Sequence, residues 1–588
     1  MQLMLMIFQQ KSLPDTQNPK QQMLVIMDIK PWFNQYTHDV PATIDPDSFA
    51  SLTELFEKYA NDFSNRPVFT SFGVSITYSQ MKILVDDFAA FLQQKLKLKK
   101  GSRFAIMMPN ILQYPIAIFA ALKAGLIVVN INPLYTGPEV AKQLNDSGAE
   151  TILVLENFAD HLEQALLDIK LKNIIITQIG DLLGFFKGHL FNFVVRYCKK
   201  QVPHYNLPQS HCFKKALSLG KKLTFHNVDI KNTEMAFLQY TGGTTGSSKG
   251  AMLSHRNIIA NVLQCVTWIH DVKEQYYGVM IAALPMYHIF SLTVCGICIF
   301  PMGASSLLIA NPRDMPGFIK AIRHCKMTIM VGLNTLFNGL LNNEQFKSVD
   351  FSRLKLTIAG GMAMQKAVAN RWKKVTGITV LQGYGLTESS PVITLCPVNM
   401  TEFTGTIGVP VSSTDVVIRD ENNHDLSFNQ RGELCARGPQ IMMGYWHNEA
   451  ETKNVIDEHG WLKTGDIATM DEKGFVYIVD RKKDMVLVSG FNVYPNEVEA
   501  VMTLHPGVLM VAVIGVPNEK TGEALKAFVI KKDPSLTKEE LIAFCHKSLT
   551  NYKIPHFIEF RDQLPLSPVG KVLRRELRDE EMKTLSET

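Results

Sequence analysis

The segment YTGGTTGSSKG, residues 240–250, gathers glycines, threonine and serine hydroxyls and one lysine into a single short run. Glycine loses more conformational freedom on ordering than any other residue, so a segment built to fill a core would avoid it. A polyanion rewards the same composition. Bare backbone lets N–H groups approach phosphate oxygens, hydroxyls add donors and can ligate a hard cation, and Lys249 supplies a point charge. A flexible surface turn is the plain alternative; the coincidence of glycines, hydroxyls and a lysine favours phosphate binding.

The spacing is not that of the familiar phosphate loop G-x-x-x-x-G-K-[ST], because Ser248 precedes Lys249 and Gly250 follows it. The flanking elements differ as well. EMAFLQY, residues 234–240, reads as a buried strand entering the loop, and GAMLSH intervenes before an amphipathic helix beginning near Ser254, a good N-cap residue. A loop between a strand and a delayed helix suits a cover closing over the outer phosphates of a nucleotide.

Further along the chain, β-branched apolar runs alternate with helical patterns from about residue 78 to 400: RFAIMMPN, LIVVNIN, TILVLE, NIIITQI, VMIAALPMY, TIMVGL, LKLTIAG and ITVLQGYG. Such alternation implies parallel sheets covered by helices. Between about 403 and 480 short strands joined by Gly, Asn and Asp turns take over. The last hundred residues read as a small α+β domain, with Thr537 opening a helix and the basic helix KVLRRELRD near the end, set off by the charged run DRKKD at 480–484.

A chain of 588 residues exceeds one core and divides into domains. Its net charge of +5 tolerates anionic ligands or a lipid surface but does not argue for nucleic acid. Nine scattered cysteines suit a reducing cytoplasm, and the Cys295/Cys298 pair sits in the apolar run IFSLTVCGICIFPM, where burial is favoured over zinc binding. No run reaches the roughly 18–20 apolar residues of a membrane span. Residues 1–27 read as a poorly ordered extension rather than a secretory signal. The stretch LLGFFKGHLFNFVVRYCKKQVPHY, residues 182–205, mixes aromatic and aliphatic residues with lysines and an arginine. It admits two readings: an interfacial helix on an anionic membrane, or an ordinary amphipathic helix packed on its own domain.

GYGLTESSP at 383–391, GWLKTGDIATMDEKGFVYIVDRKKDMVLVSGFNVYPNEVE at 460–499 and PLSPVGKVLRREL from Pro565 join the glycine loop. Together they resemble the acyl-adenylate-forming enzymes, the family of acyl-CoA synthetases, luciferases and peptide-synthetase adenylation domains. LPMYHIFSLT, NPRDMPG and VSGFNVYPNEVE look most like the bacterial long-chain fatty acid–CoA ligases. The resemblance covers nearly the whole chain after residue 28. It implies an α/β fold: a large N-terminal domain of two helix-covered parallel sheets plus the β-rich part, over 28–482, followed by a small mobile α+β domain over 483–588.

The resemblance also implies a reaction and roles. A fatty acid carboxylate and ATP give acyl-AMP and pyrophosphate, and coenzyme A then takes the acyl group. Glu388 matches a Mg²⁺ ligand, with Thr241 beside it. Gly242, Gly243, Thr244, Thr245, Gly246 and Lys249 would hold the outer phosphates. Gln382, Gly383 and Tyr384 would wall the adenine, with Gly360 and Gly361 keeping that wall thin. Thr387 would reach the α-phosphate, and Asp466 and Arg481 the ribose. Lys571 would bridge carboxylate and α-phosphate. Lys483 would be the pivot of a domain rotation that swaps Lys571 for a coenzyme A channel carrying Gly490 and Phe491. His288 would gate the acyl site, whose walls are expected from residues 289–301 and 331–341. Some long-chain relatives carry a lysine where this chain has Leu487, leaving Lys482 or Lys483 as substitutes. A medium-chain synthetase, a fatty acyl-AMP ligase serving a carrier protein and a non-catalytic nucleotide sensor are the alternatives. The expected setting is the cytoplasm, with peripheral membrane contact and a homodimer both compatible.

Overall fold

The computed structural model describes residues 30–241, 248–269, 278–567 and 570–587. The expected extension at 1–27 lies outside them. Among the described residues the alternating apolar runs are strands, and they build two large sheets.

In the nine-stranded sheet, five neighbours run parallel: Val380–Gly385, Leu356–Ala359, Ile329–Gly332, Val279–Ala282 and Ser305–Leu308. Pro67–Ser71 extends this parallel run, and Val74–Thr77 turns back as the edge. The eight-stranded sheet is parallel from Met235–Tyr240 through Ile127–Asn130, Arg103–Met107, Thr151–Leu155 and Asn173–Thr177 to His211–Cys212. Every residue of Thr151–Leu155, Ser305–Leu308, Ile329–Gly332 and Leu356–Ala359 is buried. That is why three of them read as near-continuous apolar runs rather than alternating ones, helices covering both faces, while Ser305–Leu308 buries two serines as well.

A four-stranded antiparallel sheet follows, ordered Asp415–Arg419, Gly432–Arg437, Leu462–Met470 and Val476–Arg481. The small C-terminal domain has a sheet of its own. Its long hairpin, Val508–Asn518 with Gly522–Lys531, is flanked by Val486–Val488 and Phe557–Phe560 and backed by the helices Pro495–Met502 and Arg574–Glu587.

One backbone contact shapes the end of the strand Val380–Gly385. Gly385 lies so close to the returning chain that a Cβ there would sit 1.8 Å from the Pro391 carbonyl oxygen. Backbone cannot yield as a flexible side chain can. Gly385→Ala is therefore expected to cost about 2–3 kcal/mol of stability, read as a lower denaturant midpoint at unchanged slope.

Candidate active site

At the foot of the glycine-rich loop the strands Met235–Tyr240 and Gly250–Ser254 pair antiparallel, with Tyr240 opposite Gly250. The base of the loop is closed: Thr241 N–H donates to the Lys249 carbonyl at 2.9 Å and Ser248 Oγ donates to the Thr241 carbonyl at 2.6 Å. The return strand Gly250–Ser254 accounts for the delayed helix. His255–Trp268 starts only after it, with the Ser254 hydroxyl accepting from Asn257 N–H. The expected phosphate contacts of Gly242, Gly243, Thr244, Thr245 and Gly246 fall at 242–247, outside the described residues. Lys249, expected to face phosphate, forms an ion pair with Glu451 and lies over the Tyr445 ring. The bond from Lys249 holds the Glu451 carboxyl below its ordinary range.

The GYGLTE segment runs out of the sheet into a short turn, Thr387–Ser389, closed by a bond from Leu386 N–H to Ser389 Oγ. This turn presents Thr387 and Glu388 to a cleft of about 1260 Å³. Glu388 is held from behind. Tyr445 Oη donates to its Oε1 at 2.6 Å, and its carbonyl accepts from Met442 N–H.

Register places the ribose candidates. On the adjacent strands Leu462–Met470 and Val476–Arg481, Asp466 and Arg481 are direct cross-strand partners. The Arg481 Nε lies 3.9 Å from Asp466 Oδ1, and Tyr384 Oη donates to Asp466 Oδ2 at 2.6 Å. Burial and this carboxylate drive the Tyr384 phenol well above its ordinary pKa, so it stays a donor. Gln382 and Gly383 also line the cleft, with Gly360 and Gly361. The Gln382 side chain, however, is spent on structure: it accepts from Met364 N–H and donates to the Gly405 and Thr406 carbonyls. Its share in any adenine wall is backbone.

Lys571 comes from the small domain. A tight turn carries it, with Gly570 N–H donating to the Ser567 carbonyl and Lys571 N–H to Ser567 Oγ. The turn packs on the large domain: a Cβ on Gly570 would meet Thr335 Oγ1 at 2.7 Å. Burial first, then the charge of Arg481, pushes the Lys571 ammonium down to about 7. Lys483 faces the same cleft and is lowered to about 8, again by burial first. Lys482 turns away to Glu433 at 3.1 Å. His288 lines the cleft too; burial and Lys571 hold it near 4, so its ring is neutral at pH 7. Gly490 and Phe491 are not among the residues lining this cleft; Phe491 stacks on Tyr552 at the surface.

Sequence reasoning read KVLRRELRD as a basic helix and assigned its arginines no partner. Arg574 departs from that. It donates to Asp480 and Asp484 at 3.3 Å, to Glu499 at 2.8 Å and to Asn496. Arg578 adds a bond to Asp484 at 2.9 Å. The anchor beneath Lys571 was invisible because its carboxylates lie 75–94 residues earlier in the chain. Tyr445 and Glu451 were missed for the same reason.

Residues 289–301 and 331–341, the expected acyl walls, reach the cleft at only some positions. Ile289, Phe290, Val294, Cys298 and Leu333 line the cleft, and Cys265, Ile269, Met280 and Leu284, which sequence reasoning did not select, complete its apolar end. Cys295 and Cys298 are buried, and among the described residues no His, Cys, Asp or Glu cluster could hold a metal alone.

Comparison with known proteins follows the same outline. The family model described as AMP-binding enzyme matches residues 56–446, and that of the AMP-binding enzyme C-terminal domain matches 497–571. A long-chain fatty acid–CoA ligase of Yersinia pestis is 52% identical, covering 94% of this chain and 98% of its own. One of Escherichia coli O157:H7 is 50% identical over the same shares. A solved structure of an anthranilate–CoA ligase in complex with anthranoyl-AMP superposes with a TM-score of 0.81, covering 93% of this chain and 99% of its own at 22% identity.

The Lys571 environment has a consequence for pH. With its pKa near 7, the ammonium is mostly neutral in the free protein at pH 8, and a polyanion beside it restores the charged form. ATP binding at pH 8 is expected to draw in a proton, seen by calorimetry in buffers of different ionisation enthalpy. Lys571→Met should reduce that uptake; equal uptake in the variant contradicts the assignment.

Proposed function

The chain belongs to the AMP-binding enzyme family, and on that premise we propose that it activates long-chain fatty acids with ATP, by way of acyl-AMP, to coenzyme A thioesters. Two relatives of that name share half its residues over nearly the full length. The observation that carries the reading is the arrival of Lys571, from the small domain, in the cleft that holds Thr387, Glu388, Asp466 and Arg481.

In the first step a carboxylate oxygen attacks the α-phosphorus, a P–O bond forms, and pyrophosphate leaves with the electrons of the bond that breaks. Two anions must approach, so fixed positive charge between them lowers the barrier. Lys571 supplies it. Asp466 accepts from the ribose hydroxyls with Arg481 alongside, and Tyr384, steadied by Asp466, offers a flat face to the base. Thr387 donates to the α-phosphate.

Mg²⁺ fits this site. Glu388 offers one carboxylate, fixed by Tyr445, and Thr241 a hydroxyl; one or two protein ligands completed by phosphate oxygens and water is the usual Mg²⁺ arrangement. When bound, the ion neutralises charge on the departing phosphates.

In the second step the coenzyme A sulfur attacks the acyl carbon, the bond to AMP breaks, and the thiol proton is released. Lys571 has to withdraw first. Lys483, between the four-stranded sheet and the small domain, is the proposed pivot, with 28–482 and 483–588 as the two moving bodies; rotation would bring Gly490 and Phe491 to the thiol's route. His288, neutral and at the junction, suits a gate. Val294, Cys298, Cys265 and Met280 wall the acyl end, where each buried methylene is worth about 0.8 kcal/mol. Peripheral contact with an anionic membrane belongs to the same proposal.

Two measurements test it. Lys571→Ala should slow pyrophosphate exchange by about 100-fold or more, while thioester formation from supplied acyl-AMP changes little; equal loss of both half-reactions counts against the assignment. Val294→Trp should shorten the tunnel. Its turnover with palmitate should fall well below that with decanoate, and an unchanged chain-length profile places the acyl chain elsewhere.

A further inference from the structure

The helix Phe185–Phe193 and its wider-wound continuation Val194–Cys198 are packed inside out. Three residues four apart, Gly188, Asn192 and Arg196, face the domain. The Gly180 carbonyl lies where a Gly188 Cβ would be, at 2.3 Å. Asn192 accepts from Gly180 N–H at 2.7 Å and donates to Gln178 Oε1 at 2.9 Å. Gln178 in turn donates to Glu156 Oε2 at 2.8 Å, and Arg196 donates to the same carboxylate, which is 1% exposed. This polar network seats the helix.

Phe191 and Val195 pack inward beside this network, but most of the large apolar residues point the other way. Phe186 is 86% exposed, Leu190 65%, Phe193 55% and Tyr197 63%, spaced i, i+4, i+7 and i+11, with Phe185 at 70% beside them. A helix whose amphipathicity served its own fold would turn these inward. The packing therefore favours the first of the two readings left open by the sequence. A contiguous stripe of this kind marks an interaction surface, unlike scattered single residues.

Charge identifies the partner. Residues 182–205 contain no Asp or Glu. Arg196 is engaged inward, while Lys187, Lys199 and Lys200 are exposed along the same element. Phenylalanine and leucine on the outer face, a tyrosine toward one end and lysines with long stems at the margins are what an anionic lipid surface takes up. No helix among the described residues is long and apolar enough to cross a membrane, so the contact is interfacial.

Position fits as well. Phe191 packs on Phe72 at 4.8 Å, and Lys187 donates to the Phe72 carbonyl. Phe72 sits in the turn between Pro67–Ser71 and Val74–Thr77, the edge of the nine-stranded sheet remote from Val380–Gly385 and the cleft. A surface engaged here leaves the small domain clear.

We propose that the outward face of residues 185–200 docks the protein on an anionic bilayer. That the bilayer supplies the long-chain acid rests on the ligase reading above; the docking does not.

The test is flotation of the full chain with phosphatidylcholine vesicles, with and without phosphatidylglycerol. Wild type should float with the anionic vesicles. The triple variant Phe186→Ser, Leu190→Ser, Phe193→Ser should bind about tenfold less, and Lys199→Glu, Lys200→Glu should lose the preference for anionic lipid. These exposed positions leave folding and pyrophosphate exchange with soluble decanoate unchanged, which separates loss of docking from loss of chemistry. Wild type that ignores vesicles, or a triple variant that binds equally well, overturns the proposal. So does a wild-type dimer that the triple variant converts to monomer without change in vesicle binding, since the face is then a self-interface. Absence of any thioester product with vesicle binding intact would overturn the ligase reading alone.

Discussion

A lysine ammonium drawn out of water, with no direct ion pair among the described residues, is the constraint around which this molecule is arranged. Lys571 is carried into the cleft by a turn braced on Thr335, and burial together with Arg481 leaves it near pKa 7. Desolvating a charge is costly unless a partner arrives. Asp466 and Asp484 offset part of that cost. On the reading proposed above, an entering phosphate offsets the rest.

Holding such a group in place takes scaffolding, and the scaffold is ionic. Three residues after Lys571, Arg574 is surrounded by Asp480, Asp484 and Glu499. Burial drives the carboxyls of Asp480 and Glu499 upward while Arg574 draws them back, a mutual dependence in which removing one partner strands the others. Asp480 also accepts from Asn496 N–H, ahead of the Lys483 segment, and Asp484 lies just after it. The contacts that fix the lysine thus straddle the proposed pivot.

The side proposed to meet phosphate is paired internally too. Lys249 belongs to Glu451, and Glu388 to Tyr445, so an incoming triphosphate meets cations and carboxylates that already have partners. At the far edge of the large domain the logic is reversed: polar groups lie beneath the helix Phe185–Phe193 and aromatic rings face outward. One chain satisfies its polar groups internally at both places, and leaves apolar surface unmatched at only one of these two.

The alternation of apolar runs with helical patterns was enough to determine parallel, doubly covered sheets, because strands buried on both faces are largely apolar. Local motifs also carried the Ser254 cap, and the family resemblance picked out Glu388, Asp466, Arg481 and Lys571 as candidates. What they could not carry was anything set by contact between distant segments. The Asp466–Arg481 pairing depends on strand register, and the Glu451 hold on Lys249 spans 202 residues. The acid nest around Arg574 and the polar seat under Gly188, Asn192 and Arg196 likewise exist only once separate elements dock. Composition alone permitted either orientation of that helix. Which face turned to water was decided by tertiary packing, since buried hydrogen bonds to Glu156 and Gly180 outweighed the burial of rings on its own domain.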